Sequence, residues 1–551
     1  MTLKDLEMLF CFIGGLGMFL YGMHIMADGL QKSAGGKLKD LMAFLTKNRF
    51  VAVLVGAGIT AIIQSSSATT VMVVGFVNAG MLNLTQAVGV IMGANIGTTI
   101  TAWLVSLSEF GSVLKPEFYA PVLVGIGAFF ILFSKNEKRK KTGEIFVGIG
   151  ILFIGLSFMS DAIKPYRDSQ IFADAFAVLG KNPFLAIIAG LVVTAIIQSS
   201  SASVGILQTL ALNGIVTWRS AVFITLGQNI GTCVTAILSG AGASKNGKRA
   251  SIIHLLFNVI GTVVFGIVMY VVFMFNKEWA TSTISSVQIS IFHTVFNVTC
   301  TLLLFPFAKG LVWLSEHLLR GSKDDMEAVT FVEDVKRKLD KRVLANPAFA
   351  LETVKQEVDY MGELALGNLK LAMEAVTTKE QQAIEGVLKM EADINQLDKL
   401  LTSFLVEVDN LSLTEHQHLL VKNMFYTISD IERIGDHCEN IVELAQTMVE
   451  DKITFSKKGS ADLEEISSAT LNAVTLALEA RRTGSRKIAY QVEAVENSVD
   501  KMESDFREKH IVRLSKGKCT PENGVIFLDI MSNLERVADH ANNIAGYVCV
   551  E

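Results

Sequence analysis

Between Val51 and Ser108, and again between Asn182 and Trp218, the sequence contains no Asp, Glu, Lys or Arg. Charge-free runs of that length exclude a water-exposed fold and read as membrane-embedded, since a bilayer core takes about 20 apolar residues per spanning helix. No CxxC spacing occurs among the six cysteines, Cys11, Cys233, Cys300, Cys438, Cys519 and Cys549; this removes a zinc knuckle or a disulfide framework and leaves plain thiols. The opening MTLKDLEMLF mixes acids with one Lys and no small-residue cleavage site follows, so a signal peptide is not expected. A basic tail is missing as well. Up to Arg320 there are 22 Lys/Arg against 13 Asp/Glu, and after it 27 against 41. An acidic tail of that balance excludes nucleic acid as its partner, because phosphate backbones demand a basic face.

What is present is a duplication. TAIIQSSSA at 60–68 returns at 194–202, and the offset of 134 extends from Lys47-Asn48 paired with Lys181-Asn182 to GANIGTT at 93–99 paired with GQNIGTC at 227–233. Further back, GLGMFLYG at 15–22 pairs with GIGILFIG at 148–155. Hydrophobic segments fall near 8–27, 51–79, 87–106, 119–134, 145–160, 184–213, 221–241, 252–275 and 289–313. Repeat 1 is placed at about 8–134, repeat 2 at about 142–275, and a last helix at 289–313.

The richest basic loops are 31–49, 135–141 and 245–249, and short loops rich in Lys/Arg belong on the cytoplasmic side. Single crossings throughout would put 135–141 and 245–249 on opposite sides. If the two QSSS segments instead enter and leave on one side as re-entrant hairpins, all three basic loops lie inside, the tail is cytoplasmic, and the halves are inverted. The expectation is an all-α polytopic protein of the cell membrane, with two inverted repeats and re-entrant hairpins, followed by a soluble helical bundle. Inverted repeats whose broken helices meet at the midplane are the architecture of secondary transporters.

Polar backbone at membrane depth survives only where it is buried in protein or lines a cavity. Gln64, Ser65, Ser66 and Ser67, with Gln198, Ser199, Ser200 and Ser201, either supply hydrogen bonds to hairpin tips or form a ligand site. Two oxygen-rich tips meeting from opposite faces would suit a hard cation through their oxygens and an anion through their helix N-termini. No Lys or Arg flanks the tips, so an anion there needs co-bound cations. A proton-coupled carrier would show intramembrane carboxylates or a relay; only His24, His254 and His293 are available, and the echo HLLFN (254–258) and HTVFN (293–297) reads as helix cross-linking. Sodium is the expected coupling ion. Asn95, Thr98, Asn229 and Thr232 lie in small-residue segments that either break helices beside the tips or pack them closely. A tip serine acting as a nucleophile, with His254 or His293 as base, would lack the GxSxG elbow and leave the duplication unexplained; no enzyme is expected.

At these residues the sequence resembles the type II sodium/phosphate cotransporter family, whose signature is a QSSS in each of two inverted repeats followed by a GANIGT-like segment. The resemblance covers most of 1–315. It implies sodium-driven transport of inorganic phosphate with Gln64–Ser67 and Gln198–Ser201 at the substrate and ion site, and Thr69, Asn95, Thr98, Ser203, Asn229 and Thr232 nearby. Thr69 stands against Ser203 just after the two tips, which leaves the ion stoichiometry open. Export of phosphate, carriage of another oxyanion, or a membrane sensor that no longer transports are the alternatives.

Beyond a linker or docking segment at 321–345, the tail at 346–551 carries two prolines, Pro347 and Pro521, and reads as long amphipathic helices. SDIERIGDHCENI (429–441) returns as SNLERVADHANNI (532–544) at an offset of 103, which suggests two related three-helix bundles. Glu432 and Asp436, and Glu535 and Asp539, are each four apart and share a helix face. They are either a solvated face countered by Arg433 and Arg536, or ligands for a hard or borderline metal. The region resembles the PhoU family, phosphate-signalling bundles in which an ExxxD motif in each half binds metal. This implies iron, manganese, magnesium or zinc at Glu432, Asp436, Glu535 and Asp539, joined by Glu391 and Glu496, and a regulatory role, with a second copy of the chain or a regulatory protein as partner.

Overall fold

The computed structural model describes residues 3–34, 48–109, 116–166, 170–320 and 331–550. Of the basic loop residues, Lys37, Lys39 and Lys47 fall outside these, as does the stretch 321–330 of the expected linker. The chain divides into two compact units, Met1–Glu327 with Asp340–Phe349, and Ala328–Leu339 with Ala350–Glu551. Among the described residues both are helical and neither holds a β-strand.

In the first unit α1 (Leu3–Ala34) leads to a helical hairpin, α2 (Arg49–Ile63) and α3 (Ser66–Asn78), and then to α4 (Leu84–Ser106). After α5 (Pro116–Phe133), α6 (Glu137–Ile163) and α7 (Gln170–Lys181), the pattern recurs as α8 (Pro183–Ile197), α9 (Ser200–Leu212), α10 (Trp218–Gly231) and α11 (Cys233–Gly240). The long α12 (Lys245–Phe275), α13 (Ser286–Leu304) and α14 (Ala308–Leu318) follow. Among the described residues six spans are long and apolar enough to cross a membrane: α1, α4, α6, α10 with α11, α12 and α13. The hairpin arms are not. At 1.5 Å per residue, 15 residues reach about 22 Å, short of a hydrocarbon core of about 30 Å. Each QSSS segment folds back on itself, since residues nine apart on the two arms bond to each other, Thr60 to Thr69 and Thr194 to Ser203.

The last helix expected at 289–313 is two helices. Phe305 and Pro306 interrupt it, and because a proline ring offers no N–H and clashes with the preceding turn, α14 restarts at Ala308. The GANIGT segment does not break a helix, since Asn95 and Thr98 lie inside the continuous α4. In GQNIGTC only Thr232 separates α10 from α11, with helical φ and ψ of −60° and −28°. Close packing is what these glycines serve. A Cβ on Gly93 would lie 2.0 Å from the Val53 carbonyl oxygen of α2, and one on Gly227 1.9 Å from that of Ile187 on α8. His254 and His293 do not cross-link helices as expected: both ring nitrogens of His254 and Nδ1 of His293 are buried without a hydrogen-bond partner. Instead the Asn one turn on donates to each histidine's carbonyl (3.0 and 2.9 Å).

The second unit comprises α15 (Phe331–Lys338), most of α16 (Pro347–Thr378), α17 (Gln381–Asp409), α18 (Glu415–Glu450), α19 (Lys457–Thr483), α20 (Arg486–Ser515) and α21 (Pro521–Val550). Helices α19 to α21 pack on one another, while α18 packs on α17 and on α21. The α18–α21 seam is a pseudo-twofold polar contact. His437 Nδ1 meets Asn533 Oδ1 and His540 Nδ1 meets Asp430 Oδ1, both at 2.8 Å. The two ring centroids are 5.6 Å apart. These histidines belong to the seam and not to the acidic clusters described below.

Candidate functional site: two hairpin tips and two carboxylate clusters

Each letter of the repeated QSSS has a geometric job. Gln64 takes the left-handed conformation (φ 58°, ψ 23°) and ends α2, its N–H donating to the Thr60 carbonyl at 2.7 Å. Gln198 repeats this at φ 56°, ψ 23°, with its N–H 2.8 Å from the Thr194 carbonyl. Non-glycine residues occupy this region at a cost and persist where the surroundings fix them. Ser65 and Ser199 are N-caps, their hydroxyls accepting from Ala68 N–H (3.1 Å) and Ala202 N–H (3.2 Å). Ser66, Ser67, Ser200 and Ser201 then form the first turns of α3 and α9, where backbone N–H groups have no partner within the helix. Among the described residues no Lys or Arg side chain bonds either tip, so the electropositive helix ends are the fixed positive features there.

Thr69 and Ser203, one turn further on, hold the arms together. The Thr60 hydroxyl donates to Thr69 Oγ1 at 2.9 Å, and that of Thr194 to Ser203 Oγ at 2.8 Å. Their hydroxyls are engaged in the hairpins, which makes them positioning residues more than ligands. Asn95, Thr98, Asn229 and Thr232 are buried on α4 and at the α10–α11 junction, each bonded to the carbonyl four residues earlier (2.9 to 3.0 Å).

The two tips are joined by a residue that the sequence reading passed over. Thr101 Oγ1 donates to Gln64 Oε1 at 2.9 Å, and Ser201 Oγ donates to Thr101 Oγ1 at 3.4 Å. One buried hydroxyl of α4 thus links repeat 1 to repeat 2. Gln228, also passed over, fixes the second tip by donating Nε2 to the Ser203 carbonyl (2.9 Å) and hydroxyl (3.0 Å). Carrying the 134-residue offset three positions past GANIGT would have flagged Thr101 through its mate Thr235.

In the second unit the acidic residues converge, with a changed membership. Carboxylate oxygens of Glu391, Asp436 and Glu439 lie within 4.8 Å of one another, as do those of Glu496, Asp500 and Asp539. Glu432 and Glu535 are outside these triads and lie beside Arg433 and Arg536 at 3.7 and 3.6 Å. Glu391 is 2 % exposed and neither of its oxygens has a hydrogen-bond partner. Gly435 leaves it room in this position, since a Cβ there would lie 2.2 Å from Glu391 Oε2. Burial, reinforced by Asp436, Glu439 and Glu432, pushes the Glu391 carboxyl up to about 7. Glu496 and Asp500 are raised as well, by burial first and then by the neighbouring carboxylates. Arg433 and Arg536 also reach one member of each triad, Asp436 at 3.0 Å and Asp539 at 3.7 Å, and leave the other carboxylates of each uncompensated; three oxygen donors at such spacing suit a divalent metal.

A pH dependence follows from Glu391. Its folded pKa lies above the ordinary carboxylate value, so its contribution to stability is present at low pH and is lost as pH rises through about 7. With metal chelated, the tail of the full-length protein is expected to melt at lower temperature at pH 8 than at pH 5.5. Glu391→Gln should remove most of this slope, which is worth about 2 kcal/mol between the two pH values. Calorimetry at the two pH values checks it, and an unchanged slope in the variant would assign the effect elsewhere.

The Na+/Pi-cotransporter family profile matches residues 18–161 and 168–297, and the PhoU domain profile residues 358–445 and 463–548. YqeW of Bacillus subtilis is 32% identical over 308 residues, 55% of this chain and 96% of that one. The chain belongs to the Na+/Pi-cotransporter family and carries a PhoU domain. YjbB of Salmonella typhimurium, provisionally named an inorganic phosphate export protein, is 23% identical over 95% of this chain and 94% of its own. The rat sodium-dependent phosphate transport protein 2A is 31% identical over 101 residues, 18% of this chain and 16% of that protein. The family and the six apolar spans make this cotransporter-family chain an integral membrane protein of phosphate transport.

Proposed function

We propose that the protein is a sodium-coupled carrier of inorganic phosphate, working by alternating access around the two hairpin tips, with its PhoU domain as a cytoplasmic regulatory unit. The observation that carries this is the meeting of two identical tips through Thr101. Their helix N-termini favour an anion, and their hydroxyl, amide and carbonyl oxygens favour a hard cation. With no basic side chain among the described residues bonded to either tip, co-bound sodium supplies the charge that lets phosphate enter a low-dielectric site. Differential affinity of the two facing states for the loaded site then drives the exchange. The name of YjbB favours export as the physiological direction; a gradient-coupled carrier runs either way, so the site chemistry is the same. The two carboxylate triads hold divalent metal, iron, manganese, magnesium or zinc, one fastening α17 to α18 and the other α20 to α21.

Labelled phosphate uptake into proteoliposomes under an inward sodium gradient, with potassium as control, tests the reading. Accumulation should require sodium and fall by at least about a hundredfold in Ser66→Ala plus Ser200→Ala, since two lost charge-assisted hydrogen bonds cost about 3 kcal/mol or more together. Uptake that ignores sodium, or survives both changes, rejects it.

A further inference from the structure

The short stretch between the two units is built into the transporter. Residues 340–349 belong to the first compact unit, although their neighbours on both sides belong to the second. Val343, Asn346 and Phe349 are buried. Asp340 Oδ2 accepts from Asn78 Nδ2, at the end of α3, at 2.6 Å, and from Arg342 Nη1 at 2.5 Å. Asn78 Oδ1 in turn accepts from Ser244 N–H, just before α12, at 2.6 Å. The Arg342 Nε donates to the Ser239 carbonyl on α11 at 2.9 Å. Asn346 Nδ2 donates to Gln31 Oε1 on α1 at 3.0 Å, and the Phe349 ring packs edge-on against Phe76 of α3 with centroids 5.9 Å apart. Gly75 leaves room for the segment, since a Cβ there would meet Arg342 Cβ at 3.0 Å.

This stretch fastens three parts at once: the second arm of hairpin 1, the end of the NIGT helix of repeat 2, and α1. Alternating access requires such parts to move against one another. A half-buried ion pair with directional bonds to two of them, and a third bond to α1, opposes that motion. We propose that residues 340–349 are a latch that arrests the carrier while seated and frees it when withdrawn. The chain passes from the latch into α16 at Pro347 with no spacer, and α16 from Ala350 on belongs to the PhoU-containing unit. A change of shape in that unit therefore acts on the latch without any other partner. Side-chain hydrogen bonds that fail one by one suit a reversible seat better than a continuous apolar core would.

This inference rests on the transport reading, and the experiment separates the two. In the full-length protein, Asn78→Cys with Asp340→Cys should form a disulfide on oxidation, with the single-cysteine variants as controls. The cross-linked carrier should lose phosphate flux by about tenfold or more and regain it on reduction, as expected for a gate on turnover. Gly75→Val and Arg342→Ala, which unseat the segment from opposite sides, should raise flux by at least about twofold by shifting the population to the free state. A cross-link that does not form means that the seat is empty, and one that forms without changing flux means that the carrier cycles with it seated; either overturns the latch. Flux that falls in both unseating variants while the reduced double-cysteine protein transports normally also overturns it. Absence of sodium-driven flux in the unaltered protein instead removes the transport reading, and the latch with it.

Discussion

Gly227→Ala should yield little or no folded protein, whereas Gly58→Ala should be at least as stable as the parent. Both changes put one methyl group on a helix. At Gly58 nothing lies within 4 Å of the added Cβ, while at Gly227 it would lie 1.9 Å from the Ile187 carbonyl oxygen and 2.7 Å from the carbon bearing it. Backbone atoms cannot rotate out of the way, so α8 and α10 must separate. The reciprocal position is equally closed, since a Cβ on Gly190 would lie 2.1 Å from the Ile224 carbonyl oxygen. In a bilayer, helix association depends on such close contact because lipid tails are as apolar as the side chains they would replace. Loss of the contact should cost at least about 3 kcal/mol, the upper end of overpacking penalties, against about 1 kcal/mol gained from replacing a helical glycine. Gly93→Ala in α4, with its Cβ 2.0 Å from the Val53 carbonyl oxygen, should behave in the same way. Thermal stability in detergent, read by the fraction remaining monodisperse after heating, decides the matter. Equal curves for Gly227→Ala and Gly58→Ala would mean that the helices can move apart without loss.

The architecture of the first unit was legible because its signals are absences and repeats. Charge-free runs mark the embedded segments, and the offset of 134 residues locates both tips, whose αL glutamine and N-cap serine make the break at the position the motif occupies. What escaped are contacts that neither composition nor repetition encodes. The carboxylate triads were half visible. Glu391, Asp436, Glu496 and Asp539 are in them, but Glu439 and Asp500 break the second repeat, since the 103-residue offset maps them onto Asn542 and Leu397. A reading that trusts the duplication is blind to ligands that the halves do not share. It also favoured Glu432 and Glu535, which repeat faithfully yet lie beside arginines outside the triads. The seat of residues 340–349 was invisible for another reason. Its partners, Gln31, Asn78 and Ser239, are scattered polar residues at helix ends, where a polar side chain is unremarkable until something is seen to bind it.

Thr101 and Thr235 are equivalent in sequence, and substituting them should give opposite results. The Thr101 hydroxyl sits between Gln64 and Ser201. Its mate Thr235 is half-buried, but its Oγ1 is enclosed and has no hydrogen-bond partner. Valine has the shape of threonine without the hydroxyl, so each change tests the bond alone. In Thr101→Val the Gln64 carbonyl and the Ser201 hydroxyl lose their shared partner at a buried position, at a cost of about 1 to 3 kcal/mol. Because that bond joins the repeats, the loss falls on the relative placement of the two tips, where displacement of about 1 Å can cost on the order of a hundredfold in rate. Sodium-dependent phosphate flux in Thr101→Val should therefore drop at least about tenfold, while melting in detergent shifts by only a few degrees. In Thr235→Val a buried, unpaired hydroxyl is replaced by a methyl group, which leaves this conformation as stable or more so. The melting temperature should hold or rise. Flux measured beside it is the informative quantity: if the repeats exchange roles when the site faces the other way, Thr235 makes in that state the bond that Thr101 makes here, and Thr235→Val slows transport while stabilising the protein. Equal melting losses in both variants would mean that the two threonines do no more than fill space in their helices.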